Sequence, residues 1–288
     1  MFNLLHTYIP DPILFSIGKF SIHWYGFLMV IGGLLGLTLV WYLAKQFKIR
    51  RSLLFDLAFW WAICGLIGGR IYYVLYAWTF YKDNPIEIIK IWQGGLAVHG
   101  VMIGAFFATF IFARIKKINW LKLFDLSVIG LVTAQIIGRW GNYFNQELFG
   151  KPTDITWGIP ILPANRPFEF VSNQYFHPTF LYESLINILL LSVLLILVWF
   201  KYKKDIKIKN GIFFFSYLLG YSIIRFNMEF LRIDYSPLVF GVRWAQLFSA
   251  ILIIASIFFI IFLSIRKGKR TEIKKKAKKK IEKLAKEF

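Results

Sequence analysis

The chain is expected to be an all-α integral membrane protein with seven transmembrane helices, and three features of its 288 residues carry that expectation. Hydrophobic residues make up 58%, aromatics 19% and charged residues only 17%, with a mean hydropathy of +0.58, far from the composition of a soluble globular chain. Apolar stretches recur from residue 22 to residue 265, so no segment between them is large enough for a soluble core of its own. Their long Phe, Ile, Leu and Trp runs lack the period-2 alternation of an outer-membrane barrel strand, which favours helices.

A hydrocarbon core about 30 Å thick needs about 20 helical residues. On that ruler the spans fall at 22–44, 52–76, 95–113, 121–138, 178–200, 211–230 and 240–265. Basic residues in the connections set the orientation, because cytoplasmic loops hold an excess of Lys and Arg. Connection 45–51 has four, 114–122 four, 201–209 five and the tail 266–288 twelve, whereas the alternate segments 1–20, 77–94, 139–177 and 231–243 have one, two, three and two. That strict alternation predicts an outward N-terminus, a cytoplasmic C-terminus and an odd number of spans. Residues 1–265 read as one membrane domain. Its longest outward connection carries Trp157, Pro160, Pro163 and Pro167, which interrupt any long helix and point to a small external cap at about 151–176. In the tail, Ile273, Ala277, Ile281, Leu284, Ala285 and Phe288 recur at helical spacing among lysines, the pattern of a basic amphipathic helix on an anionic leaflet; a solvated charged tail is the alternative.

In a soluble protein a formal net charge of +20 would suggest a nucleic-acid partner. Here the tail alone, with 12 Lys/Arg against 3 Glu, supplies +9 and most of the rest lies in short loops, so membrane lipids are the expected partner and nucleic acid is not. The single cysteine, Cys64, excludes an intramolecular disulfide, a Cys-based zinc site and an iron–sulfur cluster. Residues 1–18 lack a basic n-region, so no cleavable signal is expected.

Ionisable groups in or against the spans are the first functional candidates, because each costs a few kcal/mol at the bilayer centre and therefore faces a cavity or a partner. They are Arg70, Asp125, Glu183, Arg225 and Glu229. Arg225 and Glu229 stand four residues apart, Arg232 follows at seven from Arg225, and Tyr221 precedes it by four, so one helix face presents all of them. An ion pair that only locks two helices is the competing reading, but one acid cannot neutralise two arginines. The densest polar run is Gly138-Arg139-Trp140-Gly141-Asn142-Tyr143-Phe144-Asn145-Gln146-Glu147-Leu148-Phe149-Gly150, at the outer end of the fourth span. If the helix continues through it, Arg139 and Asn142 share a face, and a guanidinium fork beside amide donors suits a phosphate; snorkelling and capping at a span's end is the alternative. His99, among the glycines of Gln93–Gly100, His177-Pro178 with Glu183 one turn further, and His23-Trp24-Tyr25-Gly26 complete the candidates. Arginines outnumber acids near the outer half of the bundle, and neither a metal-ligand cluster nor a Ser-His-Asp arrangement is legible. The implied ligand is anionic and membrane-accessible: a phospholipid head group, or a small transported anion.

The run Gly138–Gly150 resembles the signature of the prolipoprotein diacylglyceryl transferase family, Gly-Arg-x-Gly-Asn-Phe-x-Asn-x-Glu-x-x-Gly, with Tyr143 as its one conservative departure. The resemblance extends to Trp24-Tyr25-Gly26, Gly69-Arg70, Gly94-Gly95 with His99-Gly100, His177-Pro178 with Leu181-Tyr182-Glu183, and Arg225-Phe226 with Glu229 and Arg232. Departures lie at Ala97, Val98 and Val101, where the family commonly has Ser before an aromatic and His-Gly-Gly, and at Arg243-Trp244-Ala245-Gln246, which replaces a smaller, more neutral stretch. The resemblance gives Arg243 no role, and the basic tail lies outside it.

The resemblance implies a multi-pass enzyme of the bacterial inner membrane that moves the sn-1,2-diacylglyceryl group of phosphatidylglycerol onto the lipobox cysteine of a prolipoprotein signal peptide, forming a thioether and releasing glycerol 1-phosphate. The acceptor thiol belongs to the substrate, so neither Cys64 nor a serine nucleophile is needed, and no metal or organic cofactor is required. Such a site must deprotonate a thiol, hold the carbon in line and stabilise growing phosphate charge. Arg139 and Arg225 are the expected phosphate ligands. By family similarity Tyr25, Asn142 and Glu147 shape the head-group site and Glu183 and Glu229 orient the arginines or neighbouring tyrosines, with Gly150, Arg70 and Arg232 completing the expected binding residues. His99 is the candidate base, with an unperturbed pKa near neutrality against about 8.5 for a thiol. A transporter or flippase for an anionic lipid or metabolite is the rival reading.

Overall fold

The computed structural model describes residues 2–18 and 20–284, with side chains in 5–18 and 20–265. In chain order the main elements are α1 (Phe2–Thr7), β1 (Ile13–Ile17), β2 (Phe20–His23), α2 (Trp24–Leu43), α3 (Ser52–Tyr76), α4 (Trp78–Tyr81), α5 (Val98–Ile115), α6 (Trp120–Phe144), β3 (Ile159–Pro160), β4 (Tyr175–Phe176), α7 (Thr179–Tyr202), α8 (Ile212–Met228), β5 (Leu238–Val239), β6 (Val242–Arg243) and α9 (Trp244–Leu284). Among the described residues six helices are long and apolar enough to cross a membrane: α2, α3, α5, α6, α7 and residues Trp244–Ile265 of α9. The remaining expected span, 211–230, is α8, a shorter apolar helix of 17 residues. The side chains of the basic tail 266–288, and with them its amphipathic reading, lie outside the described residues.

Two differences from the expected elements matter for the site. The fourth span, expected at 121–138, continues to Phe144, which keeps the first half of the signature run helical. The mostly helical chain also contains three short antiparallel strand pairs that were not expected, β1–β2, β3–β4 and β5–β6, and the end of β2 and all of β6 occupy the starts of the expected spans 22–44 and 240–265. The first and third turn on residues with positive φ, Gly18 at 59°, and Phe240 at 52° with Gly241 at 77°. Their strand residues are largely exposed, so they carry no alternating pattern by which a sequence reader would find them.

The chain divides into two compact units, Met1–Gly36 with Val128–Phe288, and Leu37–Ser127. In the first unit α2 and α6 meet through small residues: a Cβ on Gly36 would lie 2.4 Å from the carbonyl oxygen of Gly130, and one on Gly32 3.0 Å from that of Ala134. Such close approach lets dispersion and backbone dipoles hold helices together where surrounding lipid is as apolar as the side chains. On α7 the polarity of a soluble helix is reversed. Glu183, Ser184 and Asn187 are buried, while Leu185, Ile188, Leu189, Val193 and Ile196 are exposed, which is stable only in a hydrocarbon solvent.

The segment between α6 and α7 is tied to this unit by an aromatic cluster. Tyr143, Phe149, Ile159, Ile161, Phe176, Phe180, Leu181 and Leu5 are buried together, with Trp140 and Phe144 packed on their flank. Tyr143 stacks on Phe180 at 4.7 Å, Phe149 meets Phe176 edge-on at 4.8 Å, and His6 stacks on Tyr175 at 4.1 Å while its Nδ1 lies 2.8 Å from the carbonyl oxygen of Gly158. Burying one such aromatic stabilises the packing of this segment by about 1.5–3 kcal/mol.

In the second unit α3 and α5 pack backbone to backbone. A Cβ on Gly100 would stand 2.2 Å from the carbonyl oxygen of Gly68, and one on Gly104 2.1 Å from that of Cys64. Trp61 Nε1 donates to Thr109 Oγ1 at 2.8 Å across the same interface.

Candidate active site

The last turns of α6 and the reversal after it carry the signature. Arg139 and Asn142 share a face, as the i, i+3 spacing requires, and Arg139 Nη1 lies 3.4 Å from Asn142 Oδ1. The Asn142 amide is thereby oriented so that its Nδ2 donates to Glu147 Oε1 at 2.8 Å. Beyond Phe144 the backbone adopts positive φ at Gln146 (52°) and Leu148 (56°), an arrangement that costs on the order of 1 kcal/mol or more per residue and needs compensation. Gln146 supplies it: its Oε1 accepts from Leu162 N at 2.8 Å and Asn165 Nδ2 at 3.2 Å. Leu148 is held through its carbonyl, which accepts from the Thr179 hydroxyl. The reversal ends at Gly150, whose N–H donates to the His177 carbonyl at 2.9 Å and which bridges antiparallel to Arg232. A Cβ there would stand 2.8 Å from that of His177. Asn145, Glu147, Leu148, Asn165 and Asp234 border an open cleft of about 360 Å³.

Two buried carboxylates each hold two arginines. Glu183, on the first turns of α7, pairs its Oε2 with Arg139 Nη2 at 2.6 Å and its Oε1 with Arg232 Nη1 at 3.5 Å, and Arg232 Nε donates to Asp234 Oδ1 at 2.7 Å. Glu229, just past the end of α8, pairs its Oε2 with Arg225 Nη2 and its Oε1 with Arg243 Nε, both at 2.9 Å. The two clusters adjoin, since Glu183 and Arg232 both act electrostatically on Arg225, and Tyr221 on both Arg225 and Arg139. Arg225 Nη1 is buried without a hydrogen-bond partner among the described residues, as are the side-chain polar atoms of Asn187, one turn past Glu183, and of Ser222, one turn before Arg225. Tyr25, in the first turn of α2, rests against Gly141, where a Cβ would meet its ring at 2.8 Å, and lies within electrostatic reach of Arg139 and Glu147.

Arg70 and His99 belong to the second unit. All the donors Arg70 uses go to backbone: Nε to Ile88 O at 2.8 Å, Nη2 to Glu87 O at 2.5 Å, and Nη1 to Gly94 O at 2.7 Å and Gly95 O at 3.0 Å. Its buried charge thus organises the loop ahead of α5, where Gly94 and Gly95 have φ of 90° and 76°. His99, in the first turn of α5, is exposed and stacks on Tyr72 with ring centres 5.8 Å apart. His177 sits just before α7 with its Nδ1 3.2 Å from Tyr182 Oη, which also accepts from Trp157 Nε1 at 2.9 Å. Burial pushes the His177 imidazole below its ordinary value, so it is neutral at physiological pH. No group of three or more His, Cys, Asp or Glu able to hold a metal occurs among the described residues.

The model of the prolipoprotein diacylglyceryl transferase family matches residues 12–262, nearly the whole of this architecture. The chain belongs to that family. Prolipoprotein diacylglyceryl transferases similar to it include the phosphatidylglycerol–prolipoprotein diacylglyceryl transferase of a Nostoc species, 40% identical over 93% of this chain and 95% of that protein. Those of a Synechocystis species and of Staphylococcus aureus are 39% and 38% identical, over 88% and 92% of this chain and 89% and 92% of theirs. As a member of the diacylglyceryl transferases the chain is a transferase of lipoprotein biosynthesis and a multi-pass membrane protein.

Within the family signature the structure brings Arg139, Asn142 and Glu147 into one bonded chain, and it joins Arg139 to Glu183 and Arg232 from outside the signature. The residue that sequence reasoning left without a role is Arg243. The only signal for it was a cation at the start of an apolar span, where snorkelling to the interface is the ordinary explanation.

Proposed function

We propose that the protein transfers the sn-1,2-diacylglyceryl group of phosphatidylglycerol to the lipobox cysteine thiol of a prolipoprotein, with Arg139 and Arg225 holding the phosphate that leaves. The Arg225 guanidinium carries the assignment, because Nη2 is paired with Glu229 while Nη1 is buried with no acceptor among the described residues. An unsatisfied buried donor costs about 1–3 kcal/mol, and more when charged, and a phosphate oxygen is the acceptor this reaction brings. Arg139 adds a second permanently charged fork, aimed by Glu183 and Asn142. Tyr25, Asn142 and Glu147 shape the head-group site, and Gly150 and Arg232 hold the signature reversal beside it.

In the reaction the cysteine thiolate attacks the glycerol carbon that bears the phosphate ester. The S–C bond forms as the C–O bond breaks, and the electron pair leaves on the phosphate oxygen, giving the thioether and glycerol 1-phosphate. His99 takes the thiol proton, and Arg70 serves by holding the glycine loop from which α5 starts. The scheme uses no metal or organic cofactor. In the same reading α8 is the seventh span, its 17 residues rising about 26 Å. The few ångströms it lacks are within what local thinning of the bilayer absorbs. The N-terminus lies outside, the C-terminus inside, and the protein in the bacterial cytoplasmic membrane.

The test combines purified protein, phosphatidylglycerol and a lipobox peptide, followed by mass spectrometry. A diacylglyceryl adduct on cysteine, absent when that cysteine is serine, is the expected result. Phosphatidylglycerol crossing between leaflets with no adduct would support the flippase reading instead.

A further inference from the structure

We infer that Arg243 is a positioning residue for Arg225, acting through Glu229, and that it keeps one edge of the Arg225 guanidinium open for phosphate. The inference rests on the functional reading above and adds a residue that neither the signature nor its companion motifs include.

A lone carboxylate four residues from an arginine on a helix can swing to grip it with both oxygens, the stronger geometry for such a pair. Glu229 does not do so. Its side chain is fully buried, with Oε1 2.9 Å from Arg243 Nε and Oε2 2.9 Å from Arg225 Nη2, so each oxygen faces a different arginine. Arg225 Nη1 stays without a hydrogen-bond partner among the described residues. Arg243 also divides the charge of Glu229, so Arg225 retains more of its own positive field than a private ion pair would allow.

The mount for Arg243 is specific. It ends the β5–β6 hairpin, paired with Leu238, and the hairpin is closed onto the start of α9 by Trp244 N donating to Pro237 O at 2.8 Å. The rest of the guanidinium faces the end of α8. Nη1 donates to the carbonyls of Arg232 at 2.6 Å and Glu229 at 3.3 Å, and Nη2 donates to that of Asp234. Glu229 is the C-cap of α8, so its carbonyl is at the helix's C-terminal end, where carbonyls lack intrahelical partners and a cation complements the dipole, while Arg232 and Asp234 belong to the turn beyond it. The same side chain thus ties down the turn that follows the helix carrying Arg225 and restrains the acid that orients it.

A double-mutant cycle tests this, reading turnover in the adduct assay and phosphatidylglycerol affinity by native mass spectrometry, each normalised to folded protein. The affinity arm reports even where a variant is too slow to assay. Arg243→Gln in the parent is expected to lower turnover at least about tenfold and to weaken phosphatidylglycerol binding, whereas in a Glu229→Gln background the same change costs less than about threefold. Arg243→Lys, a cation that still reaches Glu229 but cannot span three carbonyls, is expected to recover most of the loss. Equal losses in both backgrounds would mean that Arg243 acts only by closing the end of α8, and full activity of Arg243→Gln would mean that it does nothing for Arg225; either overturns the inference. Should Arg243→Gln not fold, Arg243→Lys decides. Near-parental turnover, or a loss that vanishes with Glu229→Gln, supports the inference, and a tenfold loss persisting in that background sinks it. A parent protein that forms no adduct would instead count against the functional reading.

Discussion

At the residue scale the site is a set of arginines held by too few acids, and its testable content is that the free donors, rather than the charges, do the chemistry. Arg139→Ala and Arg225→Ala should each lower turnover by about 10²–10³, the usual cost of losing one donor to a developing oxyanion, in protein that still folds and inserts. Lysine at either position should rescue little, because a point charge cannot reproduce a planar fork. Near-normal turnover of Arg225→Lys, measured by adduct formation, would contradict the two-oxygen role. His99 is tested by pH. If it takes the thiol proton, His99→Gln should slow turnover by about 10²–10⁴ and recover partly as pH rises toward the thiol's own pKa of about 8.5. Parallel profiles from pH 6 to pH 9 with less than a tenfold difference in rate would remove it from the mechanism. The i, i+3 relation of Arg139 and Asn142 was legible from spacing because α6 is regular there. The pairing of Arg243 with Glu229 was not, because thirteen residues with a hairpin lie between them and no periodicity relates the two.

At the element scale, close backbone approach holds α3 to α5 and α2 to α6. Of these contacts Gly104 is the least forgiving, since a Cβ would lie 2.1 Å from the backbone oxygen of Cys64, which no side-chain rotation relieves. Gly104→Ala should therefore cost at least 1–3 kcal/mol, as overpacking does, and appear as a lower melting temperature in detergent. Gly33, where a Cβ would meet nothing within 4 Å, is the control, and its alanine variant should melt like the parent. Equal melting of both variants would show that the α3–α5 contact is looser than the structure has it. Six of the expected spans were legible from hydrophobic length. Which glycines in them face another helix was not, because all sit in uniformly apolar runs and only the packed partner distinguishes Gly104 from Gly33.

At the scale of the whole molecule the decisive property is sidedness, which rests on the placement of basic residues and on α8 counting as a span. A reporter joined after Phe288 should read cytoplasmic and one inserted near Thr153 external. An external C-terminus would leave an even number of spans and remove the seven-span arrangement.

The sequence by itself determined the membrane class, the approximate spans, the signature and the identity of most of the polar residues, because each follows from composition, run length or local spacing along one helix. Tertiary structure decided what those residues do. It routed the Arg70 donors into the carbonyls of its own loop, gave Glu183 to Arg139 and Arg232, and divided Glu229 between Arg225 and an arginine from a hairpin that no sequence pattern announced. The physical reason is that a buried charge is satisfied by whatever lies within about 3 Å in space, and along a folded chain that partner is seldom a neighbour in sequence.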